Sequence, residues 1–161
     1  MFELKAETET ELWVRLVLAA LAGITLGLPY RRRPGGVRTH LLVTLGAALF
    51  CTTAVRFGAR ADEDVLRVLQ GITSGIGFVG AASVIKRRNY ILGITTAASI
   101  WVAAAVGCEA ALGSPVLAAV FAPTVATVSW LVALVERKVF HRRRQVRPPR
   151  PRGSRPPPEP R

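Results

Sequence analysis

Hydrophobic and polar positions do not alternate along this chain; they come in blocks. Five apolar runs, at 11–29, 38–57, 65–85, 92–112 and 115–135, each have the length of about 20 residues that a helix needs to cross about 30 Å of hydrocarbon. A closed transmembrane barrel would need polar and apolar residues in alternation, and these runs, rich in Ala, Leu, Val and Gly, have none. The pattern therefore predicts an all-α polytopic membrane bundle of five helices. The links read as short loops: "PYRRRPGG" after the first run, "GARADED" after the second, "KRRNY" after the third, and a tight Gly113-Ser114-Pro115 turn before the fifth. Pro123 should kink the last helix, with Thr124 or Thr127 meeting the released backbone carbonyl.

Charge adds an orientation. Half of the 161 residues are hydrophobic, yet the formal net charge is +12. Of the 22 Lys and Arg, only Lys5, Arg15, Arg56, Arg60 and Arg67 fall on or near one side of a five-span arrangement. The others gather on the opposite side, around Arg31–Arg33 and Arg38, Lys86–Arg88, and the segment from Arg137 onward. Basic loops stay in the cytoplasm, so the N-terminus is expected outside and the C-terminus inside. Trp13, Tyr30, Tyr90 and Trp130 sit near span ends, where aromatic belts form. The first eleven residues are acidic rather than basic, unlike a cleaved signal, so the first run is expected to stay as an anchor. The expected organisation is an extracytoplasmic segment over 1–10, a transmembrane domain over 11–137, and an Arg/Pro-rich cytoplasmic tail over 138–161. Such a tail cannot bury a core and reads as disordered.

The glycines of "GITSGIGFVGAASVI" need separate treatment. Gly75, Gly77 and Gly80 spell the G-x-G-x-x-G of dinucleotide loops. That motif needs a preceding strand and an acidic residue about 20 positions on, and no Asp or Glu occurs between Asp64 and Glu109. In lipid, small residues let helix backbones approach. At about 100° per residue, Gly71, Gly75 and Ala82 share one face, and Thr73, Gly77 and Gly80 lie roughly opposite. Gly71–Gly75 and, in the first run, Gly23–Gly27 are GxxxG pairs. Helix packing is thus the expected role of Gly23, Gly27, Gly71, Gly75, Gly77 and Gly80, with the third helix central.

Three blocks also carry a resemblance. "RPGGVRTHLLVTLGAALF" from Arg33, "SGIGFVGAASVI" from Ser74 and "GITTAASIWVAAAVG" from Gly93 resemble, in order and spacing, the membrane domain of the MgtC/SapB family, over about residues 12 to 135. The resemblance implies a bacterial inner-membrane protein tied to growth in low magnesium and, in pathogens, to survival inside macrophages. It implies a regulator or accessory rather than a carrier, with a membrane ATPase such as the F-type ATP synthase as partner. Two departures stand out. Pro29 and Tyr30 occupy the place where the family usually has an acidic residue, and an Arg/Pro tail replaces the folded C-terminal domain of some members.

Candidate chemistry is sparse. Glu109 is the acidic residue set well inside a predicted span, where carboxylates are costly and often functional. A cation- or proton-sensing role competes there with a snorkelling side chain or an ion pair, since Arg15, Arg56 and Arg67 lie at a similar level. Arg38, Thr39 and His40 open the second helix, with Thr39 able to cap it and Arg38 able to meet a lipid phosphate. Ser74, Thr95 and Thr96 place hydroxyls inside the family blocks. Magnesium needs several oxygen ligands and room for its hydration, and one clear carboxylate is thin for that. No nucleophile with a paired base is visible, so no enzymatic activity and no cofactor are expected. Cys51 and Cys108 read as small buried thiols. The partners expected are the lipid bilayer, anionic lipid at the basic tail, and the ion-translocating ATPase. Nucleic acid is not expected, since the tail lacks stacking aromatics, and homo-oligomerisation is left open. The rival reading is a small ion transporter or channel.

Overall fold

The computed structural model of the chain describes residues 9–32, 35–57, 62–87 and 90–144. It contains five helices long and apolar enough to cross a membrane. They are α1 (Glu9–Gly27), α2 (Val37–Phe57), α3 (Asp62–Ala82), α4 (Ile94–Leu112) and α5 (Pro115–Arg144). A 3-10 turn, Leu28–Tyr30, follows α1 and contains Pro29, which cannot continue the helix. Large apolar side chains such as Trp13, Phe50, Phe78, Trp101 and Phe121 are exposed, as they must be where the surroundings are lipid.

The "KRRNY" link is not a plain loop. Strands β1 (Ile85–Arg87) and β2 (Tyr90–Leu92) form an antiparallel hairpin there, with Ile85 opposite Leu92 and Lys86 opposite Ile91. Gly93 ends the hairpin and starts α4.

The expectation that α3 is the central helix is overturned. α4 has that place: 44% of its span is buried against 6% of α3's, and it packs on α1, α2 and α3. The core is built from small residues, among them Ala19, Ala22, Ala48, Ala103, Ala110, Ala118 and Ala122, with Leu26, Cys51 and Val106. The reason is backbone proximity. A β carbon on Gly107 would run into the Thr44 carbonyl oxygen and stand 3.0 Å from the Ala47 β carbon. One on Gly23 would stand 2.9 Å from the Thr44 hydroxyl, and one on Gly27 2.5 Å from the Val37 α carbon. Thr44 is fully buried and donates its hydroxyl to His40 O at 2.8 Å. α1, α2 and α4 therefore meet around one threonine. Without a hydrophobic drive between helices in lipid, such close van der Waals contact is what holds them.

The α3 glycines behave differently. Among the described residues nothing lies within 4 Å of a β carbon placed at Gly71, Gly75 or Gly77, and at Gly80 only Ala97 is in ordinary contact range. Among the described residues, then, Gly71, Gly75 and Gly77 meet no neighbouring helix, whereas Gly107, not among the glycines expected to pack, does.

In the stretch of α5 up to Trp130, Ala118 and Ala122 are buried. The helix passes through Pro123, and Thr124 donates to Val120 O at 2.8 Å, not to the Ala119 carbonyl that the proline releases. The unit from Leu131 onward carries the helix to Arg144, and residues 145–161 of the expected tail lie outside the described residues.

Candidate functional site

Two polar assemblies occupy opposite ends of the bundle. The first is at the α4–α5 turn. The last carbonyls of a helix have no intrahelical partner and carry the negative end of its dipole. Arg15 answers this at α4: its Nη1 donates to Ala110 O and Ala111 O, each at 3.2 Å, and to Gly113 O at 2.9 Å. Glu109 works on the other side of the turn. One of its carboxylate oxygens accepts from Ser114 N at 3.1 Å, and Ser114 Oγ accepts from Leu117 N at 3.3 Å, so Ser114 caps α5. Glu109 also borders an open cavity of about 520 Å³ between α3 and α4, alongside Trp101 and Cys108. The candidate carboxylate is thus engaged in closing a hairpin. Arg15→Ala should cost about 1–3 kcal/mol, since three carbonyls lose a charged donor. Arg56→Ala should cost less than about 1 kcal/mol, because the Arg56–Glu9 pair, although 2.6 Å long, is exposed at both side chains. Denaturant unfolding of the detergent-solubilised protein would separate the two.

The second assembly centres on His40. It is a charged-capable side chain in the first turn of α2, the place where an interfacial anchor would be expected, yet it is 0% exposed. α1 closes over it because Gly27 lets the helices touch: a β carbon there would stand 3.3 Å from the His40 β carbon. His40 Nδ1 lies 3.0 Å from Gly36 O, and Nε2 lies 2.9 Å from Ser99 Oγ on α4. Ser99 Oγ in turn lies 2.8 Å from Thr96 O. Tyr30 stacks on the imidazole with ring centres 5.2 Å apart and planes 16° from parallel. Tyr30 is 7% exposed, so it packs inside the bundle instead of joining an aromatic belt; the side chain of Tyr90, also assigned to a belt, lies outside the described residues.

The neighbouring family-block residues divide. Arg38 is exposed. Thr39 lies inside α2 and does not cap it; its backbone N–H donates to Gly36 O at 3.1 Å, and Gly36 O also receives the His40 N–H. Thr96 is buried, with its methyl near Gly35. Thr95 and Ser99 line a crevice of about 190 Å³ with Tyr30 and Ser129. Ser74 is exposed on α3 and belongs to neither assembly. The sequence pointed to His40, Thr95 and Thr96; it grouped Ser99 with them in the hydroxylated stretch of the fourth helix without naming a partner, and it assigned Tyr30 to an aromatic belt. The signal for Ser99 was its spacing: three positions after Thr96, it shares a face of α4 with it. Among the described residues no three His, Cys, Asp or Glu side chains gather where they could hold a metal ion.

The model of the MgtC family matches residues 16–139. The chain belongs to the MgtC family. Its similarity extends to individual MgtC-family members. It is 37% identical over 115 residues to protein SrpB of Synechococcus elongatus, covering 62% of each chain. It is 37% identical over 106 residues to YhiD of Escherichia coli K12, whose descriptive name makes it a candidate magnesium transporter; the match covers 60% of this chain and 49% of that protein. It is 33% identical over 102 residues to protein MgtC of Salmonella typhimurium, covering 62% of this chain and 43% of that protein. The chain thus spans about half of the length of the curated relatives it matches. No solved structure matches. The matched MgtC-family region takes in α2, α3 and α4 completely, and with them both the Thr44 junction and the His40 cluster.

Proposed function

We propose that this MgtC-family membrane protein is a non-catalytic regulator or accessory in adaptation to low magnesium, acting on an ion-translocating membrane partner or on membrane potential. The observation that carries the reading is the use made of the intramembrane polar groups. Glu109 holds the α4–α5 turn and His40 is locked among three helices, so neither lines an oxygen-rich path of the kind a hydrated divalent cation needs. Contacts between helices remain as the means of action, and the exposed glycine-bearing face of α3 suits them. The proposed partner is a membrane ATPase of the F type, the proposed location is a bacterial inner membrane with the N-terminus outside, and the basic C-terminal tail is proposed to lie on anionic lipid. Self-association belongs to the same proposal.

The rival reading, a small magnesium or other ion transporter, is favoured by the descriptive name of the YhiD relative. Reconstitution into liposomes separates the two. The expected result is no saturable Mg²⁺ flux above empty vesicles, together with co-purification of a membrane ATPase from cells grown in low magnesium. Saturable flux from the purified protein alone would establish the transporter instead.

A further inference from the structure

α3 and α4 touch near their shared end at Gly80 and Ala97, and toward the α4–α5 turn they part around the open cavity of about 520 Å³. This slot is apolar along most of its length: Leu66, Leu69, Ile72 and Ile76 of α3 face Trp101 and Ala105 of α4. Glu109 and Gly113 stand at its mouth, and Trp101 and Ile76 at its far end. At 1.5 Å per helical residue, Trp101 to Glu109 spans about 12 Å, and Val65 to Ile76 on the facing helix about 16 Å. Half of the hydrocarbon of a bilayer is about 15 Å deep. α4 has 19 residues and so is about as long as the hydrocarbon is thick, which puts Glu109, three residues from its end, within about 5 Å of the polar boundary. The slot is thus one leaflet deep and opens at headgroup level.

The carboxylate at the mouth is set in position. Its Oε1 accepts from Ser114 N at 3.1 Å, and Gly113 makes room for it, since a β carbon there would run into the carboxylate. Its Oε2 receives no hydrogen bond among the described residues and is not buried. The basic side chains of the same end are committed elsewhere. Arg15 holds the α4 carbonyls and Arg56 pairs with Glu9. Arg67 is exposed on α3, and no cation among the described residues lines the slot.

We propose that this slot is a lipid site: it takes one acyl chain of an aminophospholipid, whose primary ammonium donates to Glu109 Oε2. A carboxylate with an acceptor to spare is matched by a donor that is also a cation, and such charge-assisted bonds are the stronger kind. An anionic head would be repelled. A trimethylammonium head has no N–H to donate, and the aromatic ring that could hold it by its face, Trp101, is at the far end of the slot. A free hydrophilic amine would gain nothing from the apolar walls, whereas an acyl chain is made for them. The inference rests on the bilayer setting of the bundle and on these contacts, and stands apart from the regulatory reading.

The chain has three tryptophans, and Trp13 and Trp130 are exposed, so a full-length protein with Trp13→Phe and Trp130→Phe leaves Trp101 as a fluorescent reporter in the wall of the slot. In phosphatidylcholine vesicles it would be titrated with phosphatidylethanolamine carrying brominated chains, which quench tryptophan on contact, and in parallel with phosphatidylcholine carrying the same chains. The expected result is that phosphatidylethanolamine quenches at a mole fraction about two- to fivefold lower, the range of a partly exposed charge pair. Glu109→Gln keeps an amide oxygen for Ser114 N–H but loses the charge, and there the two lipids should quench alike. Equal quenching by the two lipids with Glu109 in place would overturn the proposal. So would a preference that survives in a folded Glu109→Gln protein. The first comparison leaves Glu109 unaltered, so it decides the matter even where Glu109→Gln fails to fold.

Discussion

Gly107→Val is expected to abolish the folded transmembrane domain, while Gly71→Ala and Gly75→Ala leave it intact. The new side chain would begin inside the space of the Thr44 carbonyl oxygen and 3.0 Å from Ala47. A backbone oxygen cannot rotate aside as a side chain can. Nor can α2 retreat, because Thr44 is held from behind by Gly23, whose own β carbon would stand 2.9 Å from the threonine hydroxyl. Overpacking of such a site costs about 3 kcal/mol, and more where backbone must move. At Gly71 and Gly75 a methyl group meets open space. Alanine also favours helix over glycine, so those variants should match or slightly exceed the parent in stability. Thermal unfolding in detergent, followed by circular dichroism and size exclusion, gives the comparison. A Gly107→Val protein that unfolds with the parent would refute the shared α1–α2–α4 junction.

Gly93→Val is the second large effect. Gly93 has φ +90°, a conformation that β-branched residues reach only under strain, at about 1–3 kcal/mol. Its β carbon would also overlap the Ser83 carbonyl oxygen. Gly93 O accepts the Ala97 N–H at 2.8 Å and so starts α4. The substitution is expected to part the β1–β2 hairpin from the head of α4 and to displace Thr95, Thr96 and Ser99 with it. Two readouts follow: faster protease cleavage between residues 83 and 93, and loss of the ordered His40 imidazole signal in NMR spectra. Unchanged cleavage with an unchanged signal would show that the hairpin does not set the start of α4.

The five spans were legible because length and apolarity alone decide what can cross a bilayer, and the helices begin and end within a few residues of the apolar runs, except that α5 continues past its run to Arg144. The β1–β2 hairpin was not. Its ladder is three residue pairs long, and the basic residues within it read as a loop. The glycines show where composition stops. It says which positions permit close approach, but not whether a neighbour arrives. Gly71 and Gly75 permit it and stay open; Gly107 permits it and is filled. Gly107 had a signal in Ala103, Ala110 and Ala111, which continue its small-residue ridge along α4. His40 was visible within its block, but its burial depends on α1 closing at Gly27, a contact between segments that no local pattern contains. Tyr30 was assigned to an aromatic belt for the same reason: its partner is ten residues away across a turn.

The Thr44 junction also orders events during synthesis. α2 finds its second wall in α4, so α3 must emerge from the ribosome and enter the bilayer before the partners on either side of it can join. Until residue 112 has been inserted, the early helices form only a pair, with lipid tails standing in for the missing third. The junction is therefore completed only once α4 is in place, and a stalled chain ending in α3 would hold the site's histidine without the serine that answers it.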